Sequence, residues 1–327
     1  MRLEYGVAGF LPADFTHSPH LQILQQLKNT LHTMSSTKKV SLEFKGLMAP
    51  VFTSFNNDEK RTIRVDNIDG YAKFLKSEGI HGVLVNGTTG EGPVLNLVER
   101  KLVTEKWWEA AKKYDLTLMV QIGGAALPDV IELAIHAESL GVHAILCLPE
   151  LYFKPKNVEA LVEYFKLISK YCPNTPLLYY HIPMFVGLNF HMPTFCDLAE
   201  AAIPNFVGIK YTSNDLAVGS ACLKKGRSIF LGADTLLVAG LVMGFDSAIM
   251  TTLNICPYLS VAIMEHMKKG ELSKAQEAQK DLTLNIDKIL QEGNGEWVPS
   301  MKQAFNKFNR YQPNGGHAGP VREFHCI

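Results

Sequence analysis

The chain carries no excess of charge: 32 lysines and arginines stand against 32 aspartates and glutamates. No basic field exists to hold nucleic acid or anionic lipid, so the expected partner is a small molecule. Cysteine is sparse and scattered. None of the six (147, 172, 196, 222, 256 and 326) forms a CxxC pair, which excludes zinc-finger spacing. Four of those cysteines lie in apolar helix or strand patterns, where a thiol acts as a small hydrophobe, and a reducing, cytoplasmic setting is expected. No apolar run reaches transmembrane length, so no membrane association is expected. No GxGxxG opens the first helix, which removes the simplest dinucleotide site. No set of His, Asp and Glu has metal-ligand spacing. His136 and His143 flank a helix end and read as surface or supporting residues. Internal repeats are missing too.

Residues 1–44 lack a signal-peptide layout, because Asp14, His17 and His20 interrupt any apolar core. Residues 21–34 have helical spacing, and Met34 before "SSTKKVSLEFKG" is a second candidate start. This segment is read as a dispensable N-terminal extension, mobile or weakly docked.

From Gly46 onward the chain alternates. Eight short runs rich in Val, Ile and Leu read as strands: 47–53, 82–87, 117–123, 144–149, 176–183, 206–212, 229–234 and 247–252. Longer segments of helical periodicity separate them, such as 97–114 and 157–171. Continuously apolar strands imply a parallel sheet covered on both faces. Eight strands each followed by a helix imply an α/β fold, a (β/α)8 barrel with its core over 45–255. The eighth barrel helix and a further helical extension then occupy 256–327, with two or three helices over roughly 271–309. Lys268-Lys269-Gly270 reads as a helix C-terminus. Trp107 and Trp108 sit in mid-helix, one packed and the other partly exposed.

Barrel enzymes build their sites at the C-terminal ends of the strands. There the sequence places Thr53, "NGTTGEG" (86–92), Tyr180, Lys210 with Thr212, Asp234, and Thr251 with Thr252. A lysine inside an apolar strand, "FVGIKYT", poses a question, since lysine is almost never fully buried without a partner. One reading is a Schiff-base nucleophile, whose amine must be neutral to attack a ketone and whose ammonium form desolvation disfavours. The other readings are an ammonium that reaches out to solvent and an ion pair with an acid. "NGTTGEG" follows a strand and precedes a helix. Its glycines let backbone N–H groups crowd an anion, and Thr88 and Thr89 add hydroxyls. No Walker lysine follows, so a carboxylate suits it better than a polyphosphate. The alternative is an ordinary Gly-rich turn. Glu91 is expected to cap or brace the loop, because a first helical turn favours acids.

"NGTTGEG", "YYHIP" and "GIKYT", in this order and at this spacing, resemble the pyruvate-dependent aldolases. The two best-known branches of that family are N-acetylneuraminate lyase and dihydrodipicolinate synthase. The resemblance covers about residues 45–325 and includes "GPVREF" (319–324), similar to the family's closing segment. It implies that Lys210 forms the Schiff base, with Tyr180 as proton relay. Thr88 and Thr89 would hold the substrate carboxylate, and Thr212, two residues past the lysine, would face the substrate. No metal or diffusible cofactor would be needed, and the assembly would be a homotetramer. Tyr152 in "LYFKP" resembles an aromatic that relatives insert into a neighbouring subunit's site; plain packing stands beside that reading.

The synthase branch holds a second carboxylate with an arginine where this chain has Phe185, and an apolar side chain cannot make that bidentate bond. "YHIP" is similar to animal-type sialate lyases, so the resemblance favours the lyase branch: retro-aldol cleavage of N-acetylneuraminate to pyruvate and N-acetylmannosamine. The sugar half departs from the lyase pattern. Gly232-Ala-Asp-Thr235 keeps Asp234 but carries Thr235 in place of an acid, and Met250 precedes Thr251 where the pattern has glycine. Gly232, Asp234, Thr235 and Thr251 remain candidate substrate contacts. Met250 is expected to crowd the sugar. Cleavage of another 2-keto sugar acid, a synthase-like condensation of pyruvate, and a catalytically silent barrel are the alternatives.

Overall fold

In the computed structural model, residues 40–293, 295–308 and 318–322 are described. Residues 1–39 of the 1–44 extension, Cys326 and the end of the 319–324 segment lie outside them.

Eight parallel strands close into a barrel: β1 (Gly46–Pro50), β2 (Gly82–Val85), β3 (Thr117–Gln121), β4 (Ala144–Cys147), β5 (Leu177–His181), β6 (Phe206–Tyr211), β7 (Ser228–Leu231) and β8 (Ser247–Ile249). Sequential strands are neighbours, and β8 pairs with β1 to shut the sheet. Besides a single turn at Pro183–Val186, the helices are α1 (Ile68–Ser77), α2 (Leu97–Tyr114), α3 (Leu127–Leu140), α4 (Val158–Ser169), α5 (Met192–Ala202), α6 (Leu216–Ala221), α7 (Leu237–Val242) and α8 (Pro257–Lys268). Two more follow, α9 (Leu272–Glu292) and α10 (Trp297–Phe308). The chain therefore has the (β/α)8 architecture with additional C-terminal helices.

Strand alternation sorts the side chains into two cores. Met48, Leu84, Met119, Leu146, Leu178, Phe230 and Ile249 fill the barrel interior. Val83, Leu118, Ile145, Leu177, Ile229 and Ala248 face the helices. Phe44 stacks on Phe230 at 5.9 Å between centroids, so residues at the end of the 1–44 segment help fill the interior. α2 starts on a complete capping box, in which Asn96 accepts from the Glu99 backbone and Glu99 from that of Asn96. Trp107 on this helix is buried and Trp108 only partly. Gly270 follows α8 at φ +72°, in the left-handed conformation that closes many helices.

The strands end before the apolar runs do. The run 247–252 contributes only Ser247–Ile249 to the ladder. Beyond that point the backbone leaves the sheet, and the remaining residues bend over the mouth of the barrel.

Candidate active site

Lys210 and Tyr180 meet because β6 carries an irregularity. Opposite β5, Phe206 pairs with Leu177 but Gly208 with Leu178, so β6 has one residue more. Phe206 faces the helices, and strict alternation from it would turn Lys210 outward as well. The extra residue resets the alternation: Val207 joins the interior, Ile209 and Tyr211 face the helices, and Lys210 enters the barrel. Gly208 absorbs the irregularity at φ +154°, and a Cβ there would fall 1.8 Å from the Ser228 carbonyl oxygen. Such a bulge re-aims a side chain, and only glycine fits it.

Tyr180 lies directly across from Lys210 in the ladder. Lys210 Nζ donates to the Tyr180 hydroxyl at 3.0 Å and stands 4.2 Å from the ring centroid. The same hydroxyl lies 3.1 Å from Thr88 Oγ1. Lys210 is only 4% exposed, so it does not reach out to solvent. Among the described residues no carboxylate pairs with it either. A buried amine beside a phenol is what remains of the three readings. His181, next to Tyr180, points the other way. Its ring stacks on Tyr211 at 5.1 Å, and burial pulls it down to about 4, so it stays neutral near pH 7 outside the barrel interior.

The 86–92 loop is held from several sides. Asn86 is left-handed at φ +58°, and its side-chain amide donates to the Arg100 carbonyl and to Thr104 Oγ1, each at 3.1 Å. Gln121 donates to the Asn86 carbonyl at 3.0 Å, and Thr53 to that of Gly90 at 2.6 Å. Arg100 reaches the carbonyls of Gly92 and Gly123, each at 2.8 Å. At Gly92 a Cβ would lie 1.8 Å from the Asn86 carbonyl oxygen, so this glycine serves close packing. The turn uses the N–H groups of Glu91 and Gly92 internally. Among the described residues nothing accepts from the N–H groups of Thr88 and Thr89. Thr88 and Thr89 both line one cavity beside Lys210, and their hydroxyls and N–H groups suit this loop to a carboxylate. Glu91 braces this loop but does not cap a helix. Left-handed at φ +53° and buried, it makes an ion pair with Lys302 at 2.7 Å.

The cavity measures about 250 Å³. Thr88, Thr89, Tyr180, Lys210 and Asp234 form its polar side; Ile182, Met184, Phe185, Ile249 and Trp297 form its apolar side. Asp234 is buried, and its Oδ1 accepts from the Thr252 backbone at 2.9 Å and hydroxyl at 2.6 Å. Burial pushes its carboxyl above the usual carboxylate range, against those two bonds. Gly232 lines the cavity and makes room for Thr212, whose Oγ1 would sit 2.0 Å from a Cβ there. The Thr212 hydroxyl belongs to a residue that lines the same cavity and has no hydrogen-bond partner among the described residues. Thr235 is exposed at the rim.

One expectation and one alternative reading are corrected. Met250 does not crowd the cavity. It is fully buried in the layer between strands and helices, because alternation sends Ile249 and Thr251 inward and Met250 outward. Tyr152 is not packed within this chain: it is 85% exposed and stands edge-on to an equally exposed Phe153 at 4.9 Å. His136 pairs with Glu105 at 2.9 Å, and His143 accepts from the Leu118 backbone at 3.0 Å. Among the described residues no cluster of His, Cys, Asp or Glu is arranged to hold a metal ion, and no helix is long and apolar enough to cross a membrane.

Trp297 and Lys302 went unnoticed in the sequence. Trp297 Nε1 donates to Thr251 Oγ1 at 3.2 Å, and Thr251 Oγ1 lies 2.9 Å from Thr89 Oγ1. A signal was present: helical spacing places Lys302 on the apolar face of Val298, Met301 and Phe305, the same anomaly that singled out Lys210.

Comparison with known proteins places these features in a family. Residues 43–307 match the model of the dihydrodipicolinate synthetase family. N-acetylneuraminate lyase B of Xenopus laevis is 32% identical over 238 residues, 72% of this chain and 89% of that protein. The lyase of Rattus norvegicus is 28% identical over 258 residues, 77% of this chain and 80% of its own length. The solved N-acetylneuraminate lyase of Proteus mirabilis superposes with a TM-score of 0.78 at 32% identity, covering 86% of this chain and 92% of that one.

Proposed function

The chain belongs to the dihydrodipicolinate synthetase family, and from that premise we propose that it is a Schiff-base aldolase of the N-acetylneuraminate lyase type. The observation that carries this is the Tyr180 hydroxyl, 3.0 Å from Lys210 Nζ and 3.1 Å from Thr88 Oγ1. The neutral Lys210 amine attacks the C2 ketone of the substrate; the Tyr180 phenol then protonates the departing hydroxyl, which leaves as water, and a protonated imine and a phenolate remain. Thr88 and Thr89 hold the carboxylate. Tyr180 takes the proton of the 4-hydroxyl as the C3–C4 bond breaks, and the bonding pair flows into the imine. The Tyr180 phenol passes that proton to C3 of the resulting enamine, and water then releases pyruvate and the free lysine, the proton set free in hydrolysis restoring the phenol. The other product is an aldehyde sugar, N-acetylmannosamine when the substrate is N-acetylneuraminate. The covalent lysine serves as electron sink, so the scheme calls for no metal or diffusible cofactor.

The apolar Met184 and Phe185 at the mouth support the lyase direction over a synthase-like condensation, which needs a cation for a second carboxylate. A second reading, cleavage of another 2-keto sugar acid, is favoured by one observation: the Thr251 hydroxyl already engages Thr89 and Trp297 and is not free for a sugar. The exposed Tyr152–Phe153 pair supports a homotetramer in which this loop reaches a neighbouring subunit. The buried thiols of Cys147, Cys172, Cys196 and Cys222, unbridged among the described residues, support a cytoplasmic setting.

Borohydride with pyruvate should trap a covalent adduct on the wild-type chain, and Lys210→Ala should lose both the adduct and pyruvate release. Trapping retained at another lysine would overturn the assignment. A screen of 2-keto sugar acids, read by pyruvate release, then separates N-acetylneuraminate from its alternatives.

A further inference from the structure

α10 lies beyond the barrel, yet one of its side chains reaches the carboxylate loop directly and another through Thr251. Lys302 Nζ donates to Glu91 Oε1 at 2.7 Å, with both side chains at most 1% exposed. The ammonium also stands 4.3 Å from the Phe55 ring centroid. Glu91 Oε2 accepts from the Arg322 backbone at 2.7 Å. The Glu91 N–H donates to the carbonyl of Thr88 at 3.0 Å, so what fixes Glu91 also fixes Thr88. Glu91 needs such holding, because its left-handed backbone is one that a residue with a long side chain rarely adopts.

The second contact is Trp297. An indole N–H can only donate, so Thr251 Oγ1 accepts from it. Thr251 Oγ1 in turn lies 2.9 Å from Thr89 Oγ1, and either hydroxyl can donate to the other. The chain Trp297–Thr251–Thr89 thus fixes the place of a hydroxyl at the carboxylate cradle.

We propose that Lys302 and Trp297 are positioning residues, through which α10 holds the 86–92 loop in the geometry that receives the substrate carboxylate. Stability alone is a weak reason for a buried ion pair, since an apolar pair of similar volume is often as stable. The proposal rests on the aldolase reading for its ligand, a 2-keto acid, and goes beyond it in naming what shapes the cradle.

The experiment compares pyruvate affinity, by titration calorimetry and by the half-saturating pyruvate in borohydride trapping, with the rate of adduct formation at saturation. The variants are Lys302→Met, Glu91→Gln/Lys302→Met and Trp297→Phe. Lys302→Met removes the cation beside the buried Glu91 carboxylate and can fail to fold; the double variant carries neither charge and keeps the test open. The double variant should melt within a few degrees of wild type yet bind pyruvate about tenfold more weakly, with a much smaller change in the saturated rate. Trp297→Phe keeps an aromatic ring and should weaken pyruvate about threefold to tenfold. Unchanged pyruvate affinity in the folded double variant and in Trp297→Phe would overturn the proposal, whatever happens to thermal stability. If wild type binds pyruvate but is never trapped, the Schiff-base reading fails, and the calorimetric shift still decides this one. If wild type does not bind pyruvate at all, both fall.

Discussion

Replacing Tyr180 by Phe removes one oxygen and almost nothing else. The ring is 2% exposed and packs among interior side chains, so the variant keeps its burial and its place across from Lys210. What it loses are the contacts at 3.0 Å to Lys210 Nζ and 3.1 Å to Thr88 Oγ1. Each is worth about 0.5–1.5 kcal/mol net, so stability should drop by roughly 1–3 kcal/mol. Pyruvate binding should suffer little, because the Thr88 and Thr89 cradle and the Lys210 amine remain. Turnover should suffer greatly. A positioned acid–base group typically contributes about 10²–10⁴ in rate, and no second hydroxyl stands within hydrogen-bond distance of Nζ among the described residues. The assay is kcat from pyruvate release, set against the half-saturating pyruvate in borohydride trapping. The expected split is a kcat loss of at least about 10² against an affinity loss under about tenfold. A kcat within a few-fold of wild type would show that another group moves the proton. Equal losses in binding and turnover would show that Tyr180 only holds Lys210 in place.

Gly208→Ala should destabilise the barrel and abolish trapping with pyruvate although Lys210 is present, because a Cβ 1.8 Å from the Ser228 carbonyl oxygen forces the bulge to open; melting temperature and trapping are measured together, and full trapping would refute the role of the bulge. Met250→Ala should cost about 2–5 kcal/mol as a buried cavity, seen in denaturant unfolding, while leaving the ratio of kcat/KM for long and short 2-keto acids unchanged. A shift in that ratio would mean that Met250 touches the substrate after all. Thr235→Glu places a carboxylate at the exposed rim; a charged acceptor is worth about 1.5–3 kcal/mol, so kcat/KM for N-acetylneuraminate should gain about tenfold over that for shorter 2-keto acids, and an unmoved ratio would mean the sugar tail lies elsewhere.

The architecture was legible because its signal is local and repeated. Eight apolar runs and the helices between them leave few other arrangements, and the closed barrel follows the expected order. The strand ends were less legible. Periodicity does not show where the ladder stops, so residues such as Thr251, past the last residue of β8, were read as strand although they bend over the mouth. Met250 illustrates the cost. Its neighbours suggested bulk beside a substrate, but which side of the sheet it takes depends on a register that the run itself does not state. Lys210 is a subtler case. A simple alternation starting at Phe206 turns it outward, and only the paired register of β5 and β6 reveals the added residue.

The loop that cradles the carboxylate shows how far a local motif can be read. Its glycines and threonines are local signals and announce an anion site. The reason it holds one shape is not local. Gln121 comes from β3, Arg100 from α2, Thr53 from the turn after β1, and Lys302 from a helix 211 residues beyond its partner Glu91. Glu91 could be expected to brace the loop, but its partner could not be named, since any of many lysines satisfies a carboxylate on paper. The clue lay in the cost of the partner: a lysine set among apolar residues must be paid for by a buried polar group. Among the described residues two buried lysines meet that description. Lys302 has found its acid, and Lys210 has a phenol, which leaves its amine the one poised to react.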